Sequence, residues 1–329
     1  MHEKMVEDAA AECSLTGRDL ISILDFSPEE IHELFELTEA VKKTPESFHS
    51  ALKGKQIVLF FEKASLRTRL TFEAGMMSMG GTSIFVDQTR ARLGEREPLS
   101  DIAHNVERWV HGVVLRTYAH ETVTEMAKYA SIPVINALSD LEHPCQAFAD
   151  FFTLREKFGD LRKVHLAYVG DGNNMAHSLM LAAASLGSTI SIVCPATHAP
   201  SKEITAAALE MAAGTGARIH ISHDPAAGVQ GANAVYTDVW ASMGQEDEAQ
   251  ERARIFAGYQ VNEALFAHAA PDAIFMHCLP AHRGQEVADG IIGSHRCVVF
   301  DQAENRMHIQ KAILLSLLGG KPSPGTFKE

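Results

Sequence analysis

The stretch Glu62-Lys63-Ala64-Ser65-Leu66-Arg67-Thr68-Arg69 lies between two segments whose hydrophobic patterns differ. The continuous apolar run 57–61 before it predicts a buried strand. After it, apolar residues recur at roughly helical spacing from Leu70 to Met79, and the glycine pair 80–81 indicates a helix stop. The sequence therefore predicts a strand, a turn rich in hydroxyls and arginines, and a helix, as in a parallel α/β fold.

The residue types in this turn suit an anion. The first backbone N–H groups of a helix lack intrahelical partners and lie in a field that favours negative charge. Ser65 and Thr68 add hydroxyl donors, and the guanidinium fork of Arg67 can hold two phosphate oxygens. A capped helix with surface arginines is an equally good interpretation of the turn alone, because Ser and Thr favour helix starts in any protein.

Strand-like and helical segments alternate along the chain, which is typical of βαβ units and mainly parallel sheets. The predicted strands are 56–61, 83–86, 112–116, 132–135, 164–169, 189–193, 218–222, 234–238 and 273–276. The predicted helices are 27–42, 67–79, 99–109, 121–130, 145–158, 174–186, 201–214, 262–269 and 303–318. Nine strands exceed the usual single sheet, so we predict an α/β fold of two doubly wound domains, each a mainly parallel sheet flanked by helices. The domains are placed at 1–150 and 151–302, and a C-terminal helix in 303–329 is expected to pack back on the first domain.

Composition limits the partners. The 329 residues carry a formal charge of −13, which argues against nucleic-acid binding but leaves room for a local basic pocket. No apolar run approaches the roughly 18–20 residues of a membrane span, so no membrane partner is expected. The acidic N-terminus lacks a targeting pattern, and the five scattered cysteines favour reduced thiols, so we expect a cytoplasmic protein.

Functional side chains in open α/β sheets lie at the carboxyl ends of strands. Arg116 ends one predicted strand, where an anion site would need a cation, although a solvated Arg is an equal alternative. The segment His143-Pro144-Cys145-Gln146 follows the next strand, and Pro144 suits a first helical position. His143 could donate to a substrate oxygen there, and Gln146 could both accept and donate. A capping His with a buried Cys is the alternative, and a metal site at His143 and Cys145 is only weakly indicated.

Three later strand ends complete the pattern. The loop Gly170-Asp171-Gly172-Asn173-Asn174 lacks the third glycine of a dinucleotide fingerprint and offers neutral amides instead. Asp238 at a strand tip could pair with an ammonium group, and the polar segment 245–252 after it is either a mobile lid or an acidic solvated loop. Cys278, beside His277, is expected to have a lowered pKa, unless it is a buried structural Cys. Together these loops suggest one phosphorylated carbonyl ligand and one amine ligand.

Five segments resemble the ornithine branch of the aspartate/ornithine carbamoyltransferase family: 65–69, 143–146, 171–174, 238–244 and 277–280. The resemblance covers about residues 18 to 320. It implies transfer of the carbamoyl group of carbamoyl phosphate to the side-chain amine of L-ornithine, giving L-citrulline and phosphate in arginine biosynthesis. It further implies no metal or organic cofactor, and a homotrimer or a multiple of trimers.

The resemblance also assigns site residues. Catalytic roles fall on Arg67, Arg116, His143, Cys278 and Asp238. The expected carbamoyl-phosphate contacts are Ser65, Leu66, Arg67, Thr68, Arg92, Arg116, His143, Gln146, Cys278, Leu279 and Arg306. The expected ornithine contacts are Asn174, Asp238, Ser242 and Met243.

Two positions depart from the family pattern, which generally has Thr in place of Leu66 and Gln in place of Arg92. Leu66 removes a hydroxyl but keeps its backbone N–H, and Arg92 could restore the phosphate contact. Carbamoylation of an N-acylated ornithine or of a diamine stays open, as does a non-catalytic paralogue. The direction of the reaction in the cell and the assembly beyond a trimer also stay open.

Overall fold

The computed structural model describes residues 15–241 and 246–322, without the side chain of residue 246. The chain divides into two compact units, one formed by Met1–Cys145 with Arg306–Glu329 and the other by Gln146–Asn305. The domain borders expected from the sequence, after residues 150 and 302, lie near these limits and remain a prediction.

Helices and strands alternate through both units. The helices are α1 (Pro28–Lys43), α2 (Leu66–Ser78), α3 (Leu99–Val106), α4 (His120–Tyr129), α5 (Pro144–Phe158), α6 (Asn174–Leu186), α7 (Lys202–Thr215), α8 (Pro225–Val229), α9 (Ala249–Phe256), α10 (Glu263–Phe266), α11 (Asp289–Ile292) and α12 (Val299–Leu318). The strands are β1 (Gln56–Phe61), β2 (Thr82–Asp87), β3 (Gly112–Arg116), β4 (Val134–Leu138), β5 (His165–Val169), β6 (Thr189–Val193), β7 (Arg218–Ser222), β8 (Ala234–Thr237) and β9 (Ile274–His277).

Each unit contains one parallel sheet. The first sheet has the strand order β2-β1-β3-β4 and the second the order β7-β6-β5-β8-β9. Every strand pairing is parallel, with Phe61 opposite Arg116 in the first sheet and Thr237 opposite His277 in the second. The predicted fold class is therefore confirmed.

Strand order reverses once in each sheet, and this places the candidate site residues. In the first sheet the reversal lies between β1 and β3, and in the second it lies between β5 and β8. Crevices outside the carboxyl ends of strands at such reversals are where open α/β sheets bind ligands. The turn 62–69 and Arg116 leave the first pair of strands, and the loop 170–174 and Asp238 leave the second pair.

The central strands are buried, as their apolar runs predicted. In the first unit, a cluster that includes Val58, Phe60, Val113 and Leu115 packs with the buried residues of α3 and α4. In the second unit, Ala167, Val169, Val235 and Phe275 belong to one core cluster. Edge strand β7 is largely exposed, unlike the edge strands β4 and β9, which are mostly buried.

Several expectations for individual elements need correction. The segment predicted as a solvated loop or lid contains α9, and its Arg252 is buried. Helices α8 and α11 escaped prediction because they are only a turn or so long. The predicted helices 99–109 and 262–269 end earlier, at Val106 and Phe266. Among the described residues, no helix is both long enough and apolar enough to cross a bilayer.

Candidate active site

The start of α2 is capped by Ser65, as the sequence pattern predicted. The Ser65 hydroxyl accepts the N–H of Thr68 at 3.2 Å and donates to the Thr68 hydroxyl at 3.0 Å. Arg306, which α12 supplies within the same unit, donates from Nη2 to Thr68 Oγ1 at 2.9 Å. The first turn of α2 is therefore tied to a buried guanidinium, which strengthens the positive field at this helix start.

Arg116 ends β3, His143 directly precedes α5 in the loop after β4, and both are buried. Burial lowers the pKa of His143 well below its usual value, and the neighbouring Arg306 and Arg116 lower it further. The imidazole is therefore neutral near pH 7, so it can donate one N–H without carrying charge. The predicted role of His143 as a donor requires such a neutral ring, and the role itself stays a prediction.

A buried carboxylate holds two loops beside these groups. Glu62 accepts the N–H of Leu93 at 2.9 Å through Oε1 and the N–H of Tyr118 at 3.0 Å through Oε2. Arg92 lies over the ring of Tyr118 with its guanidinium carbon 4.6 Å from the centroid, and the Nζ of Lys63 lies 4.4 Å from the same centroid. The loop carrying Arg92 is thus fixed next to the end of β1 by contacts within one chain.

Lys63 is a candidate residue that sequence reasoning missed. Burial lowers its pKa, as does the charge of Arg116, while Asp140 and Glu62 act in the opposite direction. A lysine whose pKa is perturbed by burial and by a neighbouring arginine marks a candidate functional site. The signal was available in the sequence, since Lys63 lies in the turn 62–69 itself. Leu66, by contrast, is 71% exposed.

In the second unit, adjacent strands bring Asp238 and Cys278 together. The Cys278 Sγ lies 3.0 Å from Asp238 Oδ1, which also accepts the N–H of Val239 at 2.8 Å. Burial raises the pKa of the Cys278 thiol well above its usual value, and the Asp238 carboxylate raises it further. The expected lowered pKa of Cys278 is therefore wrong: the group is a thiol that donates to the carboxylate.

The loop after β5 presents Asn174 at the first turn of α6. Asn173 caps this helix by accepting the N–H groups of Met175 and Ala176 at 2.9 and 3.3 Å. Gly172 is required here because a Cβ would approach the backbone nitrogen of Pro200 to 2.4 Å. The cap and the glycine together fix the start of α6, and therefore the position of Asn174 in its first turn.

Gln146, on α5, has a defined amide orientation. Its Nε2 donates to Asp150 Oδ1 at 2.7 Å, and Gln302 Nε2 donates to the same oxygen at 2.6 Å. Because a carboxylate oxygen only accepts, the Gln146 carbonyl oxygen must point away from Asp150. That oxygen is buried and has no partner among the described residues, so it is an acceptor open to a ligand N–H.

Asp238, His277 and Cys278 offer ligand atoms within 4.8 Å of one another, which is close enough for a metal ion. Both ring nitrogens of His277 are already engaged, however: Nδ1 lies 2.8 Å from the N–H of Leu279, and Nε2 lies 3.2 Å from Glu286 Oε1. Metal binding would break one of these contacts, so the three residues fit a hydrogen-bonded site better than a metal centre. The expectation of no metal or organic cofactor remains a prediction.

Two predicted ornithine contacts, Ser242 and Met243, lie outside the described residues. The segment that follows them is anchored by Arg252, which donates to a carboxylate oxygen of Asp171 and to the carbonyl oxygen of Trp240. Sequence reasoning missed this anchor because the surrounding polar residues suggested a fully solvated segment.

The first unit gathers cations and hydroxyls at a reversal of strand order, and the second gathers a carboxylate, a thiol and amides. Cations and hydroxyls suit a phosphorylated ligand and a carboxylate suits an amine, so the two sets of residues define a candidate group transferase with a phosphorylated donor and an amine acceptor. Comparison with known proteins agrees in both units. Residues 18–156 match the carbamoyl-P binding domain of aspartate/ornithine carbamoyltransferase, and residues 162–317 match the Asp/Orn binding domain.

Individual relatives are similar over nearly the whole chain. An ornithine carbamoyltransferase of Pyrococcus abyssi is 47% identical over 309 residues, which are 93% of this chain and 98% of that protein. An anabolic ornithine carbamoyltransferase of Pyrococcus furiosus is 46% identical over 93% of this chain and 98% of that protein. The solved structure of ornithine carbamoyltransferase from Pyrococcus furiosus superposes with a TM-score of 0.90, at 46% identity, over 93% of this chain and 99% of that chain. The chain belongs to the aspartate/ornithine carbamoyltransferase family.

Proposed function

We propose that this chain transfers the carbamoyl group of carbamoyl phosphate to the side-chain amine of L-ornithine, giving L-citrulline and phosphate in arginine biosynthesis. The observation that carries the proposal is the pairing of Asp238, at the strand-order reversal of the second unit, with Cys278 at the end of the neighbouring strand β9. A carboxylate at that place suits the α-ammonium of a free amino acid. The names of the relatives, one of them anabolic, support the same reaction.

In this proposal, the first unit binds the phosphate of the donor. Arg67, Arg116 and Arg306 supply charge, and the start of α2 supplies backbone N–H groups from Leu66 onward. The remaining phosphate contacts are Ser65, Thr68 and Arg92. Charge grows on the phosphate as the carbamoyl carbon–oxygen bond breaks, and cations already fixed in place stabilise it without reorganising.

The carbamoyl group itself is polarised and oriented. Neutral His143 donates an N–H to the carbonyl oxygen, together with Arg116. The unpartnered carbonyl oxygen of Gln146 accepts from the carbamoyl N–H₂ group, and the backbone at Cys278 and Leu279 contributes a second acceptor. These contacts hold the electrophilic carbon in one orientation for attack.

Ornithine binds through its amino-acid end. Asp238 pairs with the α-ammonium, and Asn174, Ser242 and Met243 complete the amino-acid contacts. The Cys278 thiol orients Asp238 by donating to it, rather than acting as a thiolate. The neutral side-chain amine attacks the carbonyl carbon, a C–N bond forms and the bond to phosphate breaks, and the proton that the amine nitrogen loses ends on the departing phosphate.

We further propose a cytoplasmic homotrimer, or a multiple of trimers, in which Arg92 serves a carbamoyl-phosphate site. Support comes from exposed apolar side chains on one side of α2 and on the adjoining edge strand β2. Leu66, Leu70 and Met77 recur at helical spacing on α2, and Ile84 lies on β2. A second copy of the chain is the occupant that would cover this surface, and the mass in solution tests it.

An amine panel tests the substrate. The chain, supplied with carbamoyl phosphate, is assayed with L-ornithine, an N-acylated ornithine and a diamine such as putrescine. Ornithine should give by far the highest kcat/KM, because the acylated amine has no charge for Asp238 and the diamine has no α-carboxylate. Faster carbamoylation of either rival would replace this substrate, and binding of carbamoyl phosphate without turnover of any amine would favour the non-catalytic alternative.

A further inference from the structure

The loop after β9 is closed by one buried carboxylate. Glu286 Oε1 lies 3.2 Å from His277 Nε2 and also accepts the N–H of His282. The side chains of His277 and Glu286 are both 0% exposed. Glu286, at the end of the loop, thereby holds the side chain of His277 at its start and the backbone of His282 in its middle.

The hydrogen bonds fix which nitrogen of His277 carries the proton. Nδ1 faces the N–H of Leu279 at 2.8 Å and must accept from it. A neutral ring with an accepting Nδ1 has its proton on Nε2, which then donates to Glu286. The backbone N–H of His277 also donates to Gln302 Oε1 at 2.9 Å, so the ring and its main chain are both held.

This network holds an unfavourable backbone conformation. Of the described residues other than glycine, only Leu279 has a positive φ, at 59°. A leucine in the left-handed region persists only where its surroundings enforce it. The bond from the Leu279 N–H to His277 enforces it directly, and Glu286 enforces it by fixing the ring.

We propose that Glu286 and His277 are positioning residues that set the backbone of Cys278 and Leu279 for the carbamoyl group. The role rests on the proposed function, since that backbone is the one assigned to the carbamoyl N–H₂. What the loop requires of Glu286 is an acceptor oxygen at the reach of its side chain. The negative charge is not required, because His277 is neutral when it accepts from Leu279.

Two conservative variants separate the effect of the length of the Glu286 side chain from the effect of its charge. Glu286→Gln keeps the length and an acceptor oxygen, and the two converging N–H donors select the orientation of its amide. Glu286→Asp keeps the charge but withdraws the oxygens by one methylene. Ile192→Val, at a buried position on β6 outside the loop, is the control for the loss of one methylene from the core of the same unit.

The measurement is kcat and both KM values at a temperature where thermal melts show every variant folded. We expect Glu286→Asp to lose about tenfold or more in kcat with little change in the KM for ornithine, while Glu286→Gln and Ile192→Val stay within about threefold of the wild type. Hydrogen exchange should show faster exchange in a peptide spanning 277–286 only for Glu286→Asp.

Three results would overturn the role. One is a Glu286→Asp enzyme as active as the Ile192→Val control. Another is a Glu286→Gln enzyme that loses tenfold or more, which would make the charge decisive, and this result stands even if Glu286→Asp does not fold. The third is a wild-type protein that makes no citrulline, which removes the proposed function as well. If the wild-type protein makes citrulline and the Glu286 variants keep its kcat, only the positioning role is removed and the proposed function stands.

Discussion

Cys278 donates its thiol to Asp238 across the adjacent ends of β9 and β8, with Sγ and Oδ1 3.0 Å apart. The same carboxylate oxygen accepts the N–H of Val239. The carboxylate is thereby oriented by two donors before any substrate arrives. A reactive thiolate at Cys278 is disfavoured, because burial penalises the charged form and the charge of Asp238 opposes a second negative charge beside it.

The first prediction concerns the reactivity of Cys278. Because burial raises the pKa of the thiol and the Asp238 carboxylate raises it further, alkylation by iodoacetamide should be slow at neutral pH and should accelerate only under strongly alkaline conditions. Asp238→Asn should move this acceleration to lower pH. Peptide mapping by mass spectrometry measures the rate at Cys278, with Cys297 of the same protein as the internal control. Identical pH profiles in the wild type and the variant would show that Asp238 does not govern the thiol.

The second prediction concerns Arg67. Arg67→Ala should lower turnover by about 10²-fold or more, because charge on the departing phosphate loses a fixed cation. Arg69→Ala is the matched control on the same helix, since Arg69 instead pairs with Glu73 at 3.1 Å and lies over Phe85. Steady-state kinetics and carbamoyl-phosphate binding compare the two variants. Wild-type kinetics in Arg67→Ala would remove the anion site from the start of α2.

The third prediction concerns the two departures from the family pattern. If Arg92 replaces a phosphate contact that Leu66 cannot make, Arg92→Gln should raise the KM for carbamoyl phosphate. Adding Leu66→Thr should reverse much of that increase. A double-mutant cycle on kcat/KM measures the coupling between the two positions. Strictly additive effects would mean that Arg92 does not compensate for Leu66.

The fourth prediction is a pH dependence of stability set by Glu142. Burial raises its pKa to about 7, against the donated hydrogen bonds of Ser22 and Ile23, and Asp25 raises it further. The folded state then holds this proton more tightly than the unfolded state, so Glu142 should cost stability as pH rises from about 4.5 to 7. Above pH 7 the loss in the free energy of unfolding should level off, at about 1–3 kcal/mol.

Glu142→Gln tests this, because the amide oxygen can still accept the Ile23 N–H without ionising. Melting temperatures are compared at pH 5 and pH 8, with Glu125→Gln on α4 as the exposed control. The melting temperature of Glu142→Gln relative to the wild type should be higher at pH 8 than at pH 5. The relative melting temperature of Glu125→Gln should not change. If the difference in melting temperature between Glu142→Gln and the wild type is the same at both pH values, Glu142 does not hold a proton more tightly in the folded state.

The central strands could be predicted from the sequence because they are buried on both faces. Burial on both faces gives each of them a continuous run of apolar residues. The strands β1, β3, β6 and β7 have the limits that the sequence predicted, and the predicted strand ends placed Arg116 and Asp238 next to the ends of β3 and β8. The start of α2 was equally clear, since the apolar spacing and the Ser65 cap agree.

What the sequence did not reveal depends on contacts between distant residues. Cys278 seemed activated because His277 precedes it, but the ring is turned to Glu286 and Leu279 while the thiol meets Asp238 from another strand. Arg252 was hidden for the same reason, because its partner Asp171 lies 81 positions away. The residue assignments for both substrates therefore remain predictions to be tested by the variants above.

The most direct measurement is an assay of one reaction mixture for both products. The wild-type protein is incubated with L-ornithine and carbamoyl phosphate, and citrulline and phosphate are measured over time. We predict equal amounts of the two products, formed at a rate proportional to enzyme concentration and dependent on ornithine. Phosphate release at the uncatalysed rate with no citrulline would contradict the proposed function.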